Sequence, residues 1–349
     1  MGNVIGANVG QAPARQAATL AGLPPKVICT KVDKVCASGM KAIALGAAAI
    51  RGGDASVVVA GGMESMSNAP HILPGMRFGR KFGDEQVVDA MARDGLRDPF
   101  SHKAMGEVGD AYAEKSGWSR QAQDEYAARS FELANKAAKQ GKFQREIAPV
   151  QVKTGKGMIA VAADDLKSTT LDKLAALKPA FTARGTVTAG NASTINDGAA
   201  AVVLMSEEKA KSMGVPILAY LRSWADAELE PDNFPRSPSL AIPKAMQRGG
   251  VSVDQVDFFE INEAFSVVAL ENARLLGVPL PKLNVYGGGV SLGHPLGCSG
   301  ARIVVTLLSV LAQEGGKVGV AGICNGGGGG SALVVELPSS RGFGANSKI

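Results

Sequence analysis

Cysteine and histidine offer the most scope for covalent and acid–base chemistry in this sequence, and they are few. The chain has four cysteines, Cys29, Cys36, Cys298 and Cys324, and three histidines, His71, His102 and His294. Four cysteines among 349 residues are too few for a disulfide scaffold, and no pair has the C-x2-C spacing of a zinc site. We therefore predict no bound metal ion, and thiols that stay reduced, as in an intracellular compartment.

Cys36 stands between a predicted strand at 32–35 and a predicted helix that runs to Ile50. A thiol at a helix N-terminus feels the helix dipole, which is expected to lower its pKa and favour the nucleophilic thiolate. A buried structural cysteine is the alternative, and it is the commoner fate of a free thiol. Position alone does not decide between these interpretations.

His294 stands between Gly293 and Pro295 in a segment rich in glycine. Such neighbours fix the backbone and leave the imidazole accessible, so a histidine of near-neutral pKa could take a proton from a thiol. A histidine that only satisfies a backbone carbonyl is the alternative. The density of glycine around His294 favours the functional interpretation.

Cys324 is followed, after one asparagine, by five consecutive glycines at 326–330. Glycines weaken helices and strands, so this run favours close approach of a ligand, with backbone N–H groups aimed at an anion or oxyanion. A flexible linker is the alternative, but a strand-like segment at 332–336 follows directly.

Asn262 precedes a predicted helix and either caps it or orients a water molecule. Two thiols and a histidine in these settings predict acyl transfer through a covalent thioester.

The elements that must position these groups alternate between helices and strands. The sequence predicts helices at 36–50, 121–139, 264–276 and 301–312, and apolar strands at 55–60, 199–205 and 317–321. A strand, a turn, a helix and a strand in succession are typical of a parallel α/β unit. The segments around Ser38 and Ser299 each open an apolar helix and keep one register, which predicts two copies of one unit.

The composition excludes several classes of protein. Hydrophobic residues make up 46% and charged residues 20%, as in globular proteins rather than disordered ones. The net charge of +5 is dispersed and aromatic residues are only 5%, so we expect no nucleic-acid partner. No apolar run is long enough for a membrane span, and the first residues lack the regions of a signal peptide. We predict a cytoplasmic protein, with the peroxisome as second choice because residues 347–349 differ at one position from the Ser-Lys-Leu address.

Six motifs spread over nearly the whole chain are far more specific together than any one of them alone. They are VCASGMKA at 35–42, VVAGGMESMSN at 58–68, GTVTAGNAS at 185–193, NEAFS at 262–266, GGGVSLGHPLGCSGARI at 287–303 and ICNGGGGGSA at 323–332. In content and order they resemble the thiolase family, and in particular its eukaryotic, plant-like short-chain biosynthetic members. The resemblance implies reversible condensation of two acetyl-CoA molecules to acetoacetyl-CoA and CoA, within the mevalonate pathway of isoprenoid biosynthesis.

The resemblance also implies an α/β fold of two duplicated βαβαβαββ halves, packed as five α-β-α-β-α layers, with an inserted loop domain. On this basis 1–66 and 196–216 form the N-terminal half, 67–195 the loop domain and 217–349 the C-terminal half. Family members have about fifty further residues before the equivalent of Gly2, and a sheet without their first strand is expected to have an exposed edge and an uncovered apolar face.

The family's catalytic residues can be carried over to matching positions. The resemblance implies that Cys36 is the nucleophile that becomes acetylated and that His294 activates it. Cys324 is the acid and base that removes a methyl proton from the second acetyl-CoA. Asn262, acting through a water, and His294 would serve one oxyanion hole, and the backbone N–H groups of Cys36 and Gly326 would form the other.

Contacts with coenzyme A follow from the same resemblance. Ser193 matches a serine that contacts pantetheine in the family, and Ala189 lies beside it. Lys167 lies close to a position that faces the nucleotide. The acyl and pantetheine tunnel is lined at four matching apolar positions, Leu96, Met105, Phe181 and Phe265.

Two further positions depart from the family pattern. Ala104 stands where many relatives have a histidine, so one polar contact near the thioester is missing. Phe131 stands where the potassium-binding members have a tyrosine, so we predict no potassium ion and no other cofactor. Backbone carbonyls that could still face such an ion belong to Ala189, Gly190, Ala192 and Val290.

Two alternative functions stay open on the sequence. The first is a non-catalytic, truncated thiolase-like subunit. The second is a degradative thiolase that cleaves longer 3-ketoacyl-CoA, against which Met105 argues because it narrows the predicted acyl pocket. The expected partners are acetyl-CoA, acetoacetyl-CoA and CoA, in a homodimer or homotetramer, with no nucleic acid and no membrane.

Overall fold

Residues 1–155 and 157–339 are described by the structure, a computed structural model. The helices are α1 Pro13–Leu20, α2 Ser38–Arg51, α3 Ala90–Gly95, α4 Met105–Ser116, α5 Arg120–Lys139, α6 Leu171–Ala175, α7 Glu207–Met213, α8 Pro238–Gly249, α9 Ser266–Leu276, α10 Gly289–Leu292 and α11 Leu296–Glu314. The strands are β1 Val57–Ser65, β2 His71–Ile72, β3 Val88–Asp89, β4 Val150–Thr154, β5 Gly157–Val161, β6 Asp197–Met205, β7 Tyr220–Glu228, β8 Phe258–Ile261, β9 Val318–Asn325 and β10 Gly329–Glu336. Residues 347–349, which suggested a peroxisomal address, lie outside the described residues.

The larger sheet belongs to the C-terminal part of the chain and has the strand order β7-β10-β9-β8. β8 and β9 run parallel, whereas β10 runs antiparallel to both β7 and β9. A single parallel bridge between Phe259 and Leu283 stands at the position of a further strand beside β8. Helix α8 packs across β7, β10 and β9 and contacts α9, so these two helices form an outer layer.

The smaller sheet consists of β1 and β6, which pair antiparallel from Val57 opposite Met205 to Ser65 opposite Asp197. On the other side of β1, Gly2 makes a parallel bridge to Gly62 and a second one to Val32. The strand predicted at 32–35 is therefore wrong, because this segment pairs at isolated bridges only and then turns sharply before α2.

Helices α2 and α11 lie between the two sheets and pack against each other. They cross with their backbones in contact. A Cβ atom on Gly39 would come within 2.8 Å of the Ala301 nitrogen, and one on Gly300 within 2.6 Å of the Met40 nitrogen. Glycine at both positions permits this approach, which brings together the N-terminal ends of the two duplicated helices. The predicted duplication is confirmed, since each helix leads into a strand of its own sheet.

The structure contains four of the five expected layers, which are the outer helices, the larger sheet, the central helices and the smaller sheet. The outer face of the smaller sheet is largely uncovered, with Val59 48% exposed and Val203 59% exposed. Within the described residues β6 pairs with β1 alone. Beside its free edge lies an apolar groove of about 700 Å³, lined by residues of α2, β6 and the segment 215–221. The exposed edge and uncovered face expected from the sequence are both present.

The loop region between β1 and β6 contains α3 to α6 and two short hairpins, β2–β3 and β4–β5. Its longest element, α5, matches the predicted helix, and Ser119 caps it by accepting from the Ala122 N–H at 3.1 Å. Helix α5 packs against α9 and α10 of the C-terminal half. The sequence-based boundaries of the three domains stay predictions.

Two predicted helices have different ends in the structure. The helix expected from Ala264 begins at Ser266, since the preceding residues are extended. The helix expected at 301–312 spans Leu296–Glu314, because Gly300 serves the close packing on α2 and Gly297 the close packing on Met63 and Asn3, and neither glycine ends the helix. Among the described helices, α11 alone has the length and composition of a membrane span, and most of its residues are buried inside the protein, as in a core helix.

Candidate active site

Cys36 lies in a sharp turn directly before α2. Val35, the residue before it, has a φ of 48°, which is strained for a β-branched side chain. Ser38 holds the turn: its Oγ donates to the Val35 carbonyl at 2.5 Å and accepts from the Lys34 N–H at 2.9 Å. The backbone at the predicted nucleophile is therefore fixed before any substrate binds.

The thiol of Cys36 is protonated in the resting protein. Burial raises the pKa of Cys36 to about 12, while the N–H groups of Gly326 and of Cys36 itself act in the opposite direction. The expectation that the helix dipole would favour a resting thiolate is wrong, because desolvation outweighs the N-terminal N–H groups at this buried position. The nucleophile has to lose its proton during the reaction, so it needs a nearby base.

His294 has the protonation state that such a base requires. Its Nδ1 lies 2.5 Å from the Oγ of Ser299, and that hydroxyl donates to the Pro295 carbonyl at 3.0 Å. With the hydroxyl proton assigned to the Pro295 carbonyl, Nδ1 donates to Ser299 and Nε2 carries the lone pair. Nε2 has no partner within the described residues. Burial lowers the pKa of His294 to about 4, so the ring is neutral near pH 7.

Cys324 and Gly326 complete the thiol side of the site. Cys324 is fully buried near the end of β9, and its pKa is raised well above the usual value by burial and then by the neighbouring Cys36 thiol. A thiol with a raised pKa is a strong base once it is ionised. Gly326 follows β9, and a Cβ atom there would lie 3.4 Å from the Met105 sulfur and 3.7 Å from Val35.

Asn262 follows β8 and is buried, with a side-chain nitrogen that has no partner in the described part of the chain. Its backbone N–H donates to the Gly322 carbonyl at 2.9 Å, which ties it to β9. Asn262 does not cap the following helix, since Phe265 occupies the N-cap position of α9. Of the two interpretations open on the sequence, capping is excluded. A free buried amide fits the orientation of a water or ligand oxygen.

Glu263, the neighbour of Asn262, joins the site to the rest of the protein. One carboxylate oxygen accepts from the Tyr126 hydroxyl at 2.7 Å and from the Asn284 amide at 2.9 Å. The other accepts from the Ser130 hydroxyl at 2.7 Å and from the Val290 N–H at 3.1 Å. These donors come from α5, from a loop and from the turn that leads to His294. Glu263 thus fixes Asn262 and the histidine segment relative to each other.

Apolar side chains predicted to line the acyl tunnel converge on the two thiols. Leu96 packs in the same cluster as Cys36, and Met105 and Phe265 pack in the cluster of Cys324. The Met105 N–H donates to the Leu96 carbonyl at 2.9 Å, so the two clusters meet. The ring of Phe181 stands edge-on to Phe265, with ring centres 6.4 Å apart.

The predicted coenzyme A contacts divide into two groups. Ser193 lies against the site, since its N–H donates to the Ala264 carbonyl at 3.0 Å, and the exposed Ala189 lies on the same loop. Lys167 is exposed, and its carbonyl accepts from the Asn135 side chain on α5 at 2.9 Å. No described contact joins Lys167 to the residues around the thiols.

Comparisons with known proteins agree with this geometry. Residues 1–208 match the thiolase N-terminal domain, and residues 215–337 match the thiolase C-terminal domain. The chain belongs to the thiolase family. It is 53% identical to an acetyl-CoA acetyltransferase of Candida albicans over 97% of this chain and 85% of that protein. It is 54% identical to acetyl-CoA acetyltransferase 2 of Arabidopsis thaliana over 96% of this chain and 84% of that protein.

Solved thiolase structures share the fold. The acetyl-CoA acetyltransferase of Bacillus anthracis superposes with a TM-score of 0.94 at 40% identity, over 97% of this chain and 86% of that one. A thiolase of Ascaris suum in complex with coenzyme A gives a TM-score of 0.90 at 42% identity, with the same coverage of both chains. The predicted family and thiolase fold are confirmed.

Sequence reasoning missed two residues of this thiolase site. Ser299 enters the sequence argument only through the internal repeat, although it stands five residues after His294, where its hydroxyl reaches the ring. Glu263 enters the sequence argument only within the NEAFS motif, and the signal available was a charged residue in the largely apolar stretch 258–269. Both act through a residue whose role the resemblance already implied.

Replacing Glu263 by glutamine is expected to lower both stability and activity. The new amide cannot accept from all four donors, so unfolding should become easier by about 2 kcal/mol. The thiolase activity of the folded fraction should fall about tenfold or more, because Asn262 and the histidine segment shift. Denaturant unfolding and initial rates on the same preparation measure the two effects.

Glu271→Gln is the matched control, because Glu271 is equally buried and accepts from the Tyr112 hydroxyl at 3.0 Å and the Trp118 ring nitrogen at 2.9 Å. It should cost similar stability and leave the activity of the folded fraction intact. Equal losses of activity in both variants would show that Glu263 has no special link to the site.

Proposed function

We propose that this thiolase is an acetyl-CoA acetyltransferase, which condenses two acetyl-CoA molecules to acetoacetyl-CoA and CoA, and reverses that reaction, through an acetylated Cys36. The observation that carries the proposal is a pair of neighbouring buried thiols, Cys36 and Cys324. His294, the base in this proposal, is buried and neutral, and its Nε2 has no partner among the described residues. Acetyl-CoA acetyltransferases are also the relatives named above, at more than half identity over nearly the whole chain.

In the first half-reaction Cys36 sulfur forms a bond to the acetyl carbon as its proton passes to Nε2 of His294. The backbone N–H groups of Cys36 and Gly326 hold the oxyanion of the tetrahedral intermediate. The bond to the CoA sulfur then breaks, and the CoA thiolate takes the proton of Cys324 and leaves as a thiol. Acetyl-Cys36, the Cys324 thiolate and a protonated His294 remain.

In the second half-reaction the Cys324 thiolate removes a proton from the methyl group of the second acetyl-CoA. Its raised pKa makes it strong enough a base for this weak carbon acid. Asn262, through a water, and His294 stabilise the enolate oxygen. The enolate carbon attacks the acetyl group, and the Cys36 sulfur leaves and recovers its proton from His294, so acids, bases and charges return to their starting state.

Thiolysis of acetoacetyl-CoA tests the proposed substrate class. The purified chain with CoA should consume acetoacetyl-CoA, and its kcat/KM should fall steeply for 3-ketoacyl-CoA of about eight or more carbons, because Met105 narrows the predicted acyl pocket. Faster cleavage of the long substrates would favour a degradative thiolase. A preparation that melts without cooperativity and turns over neither substrate would favour a non-catalytic, truncated subunit.

We propose four further properties at the level that the sequence supports. The protein acts in the cytosol and supplies the mevalonate pathway there. An acetyl-CoA acetyltransferase of Gibberella zeae, which is 53% identical to this chain, is named cytosolic. The protein of this chain assembles as a homodimer or homotetramer, which light scattering would measure.

Coenzyme A is contacted by Ser193, Ala189 and Lys167 and by the four tunnel residues named above. The protein needs no potassium, since Phe131 packs against Val290 and Leu174 in an apolar cluster, so replacing potassium by choline should leave the rate unchanged.

A further inference from the structure

Lys34 makes a contact that the reaction steps above do not use. Its ammonium group donates to the side-chain oxygen of Asn325 at 3.1 Å and pairs with Glu228 at 2.7 Å. The lysine side chain is only 16% exposed, whereas that of Glu228 is 62% exposed. The contact with Asn325 is thus the sheltered one of the two, and Glu228 covers it from the solvent side.

This contact joins the two loops that supply the proposed oxyanion hole. Lys34 lies two residues before Cys36, in the strained turn that Ser38 holds. Asn325 lies directly before Gly326, and its side-chain nitrogen donates to the Gly326 carbonyl at 2.8 Å. The N–H groups of Cys36 and Gly326 both act on the Cys36 thiol. One chain of contacts, from Lys34 through Asn325 to Gly326, therefore runs from one donor loop to the other.

The glycine loop needs such a support. Gly327 and Gly328, which follow Gly326, have φ of 85° and 97°, and a Cβ atom on Gly327 would meet nothing within 4 Å. Gly328 is tied to Leu229, whose N–H donates to its carbonyl at 3.0 Å. Gly326 and Gly327 lie before that anchor, where glycine allows many backbone conformations of similar energy. Asn325 is buried and lies against Gly329, where a Cβ atom would come within 2.4 Å of its amide. Its hydrogen bonds hold the start of the loop.

We propose that Lys34 and Asn325 are positioning residues that hold the N–H groups of Cys36 and Gly326 at the spacing needed for the oxyanion of the first half-reaction. The proposal rests on the proposed function of the site. Neither side chain touches the reacting atoms in this account. Their effect is on the geometry of the donors, and a misplaced donor weakens stabilisation of the transition state more than binding of the substrate.

The test compares Lys34→Met and Asn325→Ala with the parent chain in the transfer of acetyl from acetyl-CoA to Cys36. Each variant should lower kcat about 10- to 100-fold and change KM less than about threefold, since part of one donor's contribution is lost. Lys34→Arg, which keeps the charge and a donor, should recover most of the rate. Thermal melting checks that the variants stay folded.

Lys41→Met is the matched control. Like Lys34, Lys41 pairs with an acidic residue of β7, Asp226, at 2.6 Å, but it has no contact with Asn325 or Gly326 among the described residues. It should leave kcat within about twofold of the parent, as expected for loss of a half-exposed ion pair. Equal kcat in Lys34→Met and the parent would overturn the proposal. An inactive parent chain would instead count against the proposed function.

Discussion

Replacing His294 by glutamine is expected to lower acetyl transfer to Cys36 by about 10³- to 10⁴-fold, at the upper end of what a single base contributes. The Cys36 thiol has a pKa of about 12, so without a base almost none of it is ionised near pH 7. Glutamine is close to histidine in size and polarity but cannot take the proton. Stopped-flow measurement of CoA release gives the rate.

The pH dependence of the parent chain should identify the same residue. Because burial lowers the pKa of His294 to about 4, the imidazole stays neutral as the pH falls from 7 to 5. Acetyl transfer should hold its rate over that range and decline only on approach to pH 4. If the base were a histidine of ordinary pKa, the rate of acetyl transfer would instead fall near pH 6.5. The same pKa makes the stability of the folded protein depend on pH. Because His294 binds its proton more readily in the unfolded chain, the free energy of unfolding should fall as the pH drops from 6.5 towards 4. The fall should be smaller in His294→Gln.

His71→Gln is the control for both measurements, since His71 is exposed on β2 and lies in the loop region. It should change neither the rate nor its pH profile. An acid limb near pH 6.5 in the parent, or a His294→Gln variant within tenfold of the parent rate, would show that His294 is not the base.

Replacing Cys324 by alanine is expected to separate the two half-reactions. Acetyl-Cys36 should still form in a single turnover, because the CoA thiolate can take its proton from water. Condensation and thiolysis should fall by about 10³-fold or more, since the Cys324 thiolate is the base that removes the methyl proton and His294 is already protonated when acetyl-Cys36 has formed. The acetylated protein should therefore accumulate. Exchange of deuterium from solvent into the methyl group of acetyl-CoA should stop as well, and mass spectrometry of the recovered substrate would measure this.

Cys298→Ala is the matched control, because Cys298 is also a buried thiol, 3% exposed, on α11. It should keep both half-reactions at close to the parent rates. Methyl exchange that persists in Cys324→Ala would mean that another group removes the proton, and the assignment of Cys324 would then be wrong.

The family and the fold were predictable because the motifs around Cys36, His294 and Cys324 are local in sequence, and the roles of the site residues stay predictions from the same motifs. Each is a short turn with glycine or proline at fixed positions, and each opens a helix or ends a strand. The duplication was readable for the same reason, since the segments of Ser38 and Ser299 repeat one local pattern. Local patterns of this kind can be recognised in a sequence without knowing which segments pack against them.

The protonation states and the supports of the site could not be read in this way. The pKa of Cys36 depends on burial by segments far apart in the chain, and burial reversed the expected direction. The four donors to Glu263 include Tyr126 and Asn284, which are 158 residues apart in the chain. The strand expected at 32–35 makes only isolated bridges among the described residues, from Val32 to Gly2 and from Lys34 to Cys36, and no local pattern shows which partners a segment will find.

The most direct test of the central claim is the intact mass of the purified chain after incubation with acetyl-CoA. The account predicts one acetyl adduct on the parent chain, mapped to the peptide that contains Cys36 and absent from a Cys36→Ala variant that melts normally. Adding CoA should remove the adduct and return acetyl-CoA. A folded parent chain that gains no adduct, or one whose adduct persists in Cys36→Ala, would contradict the account.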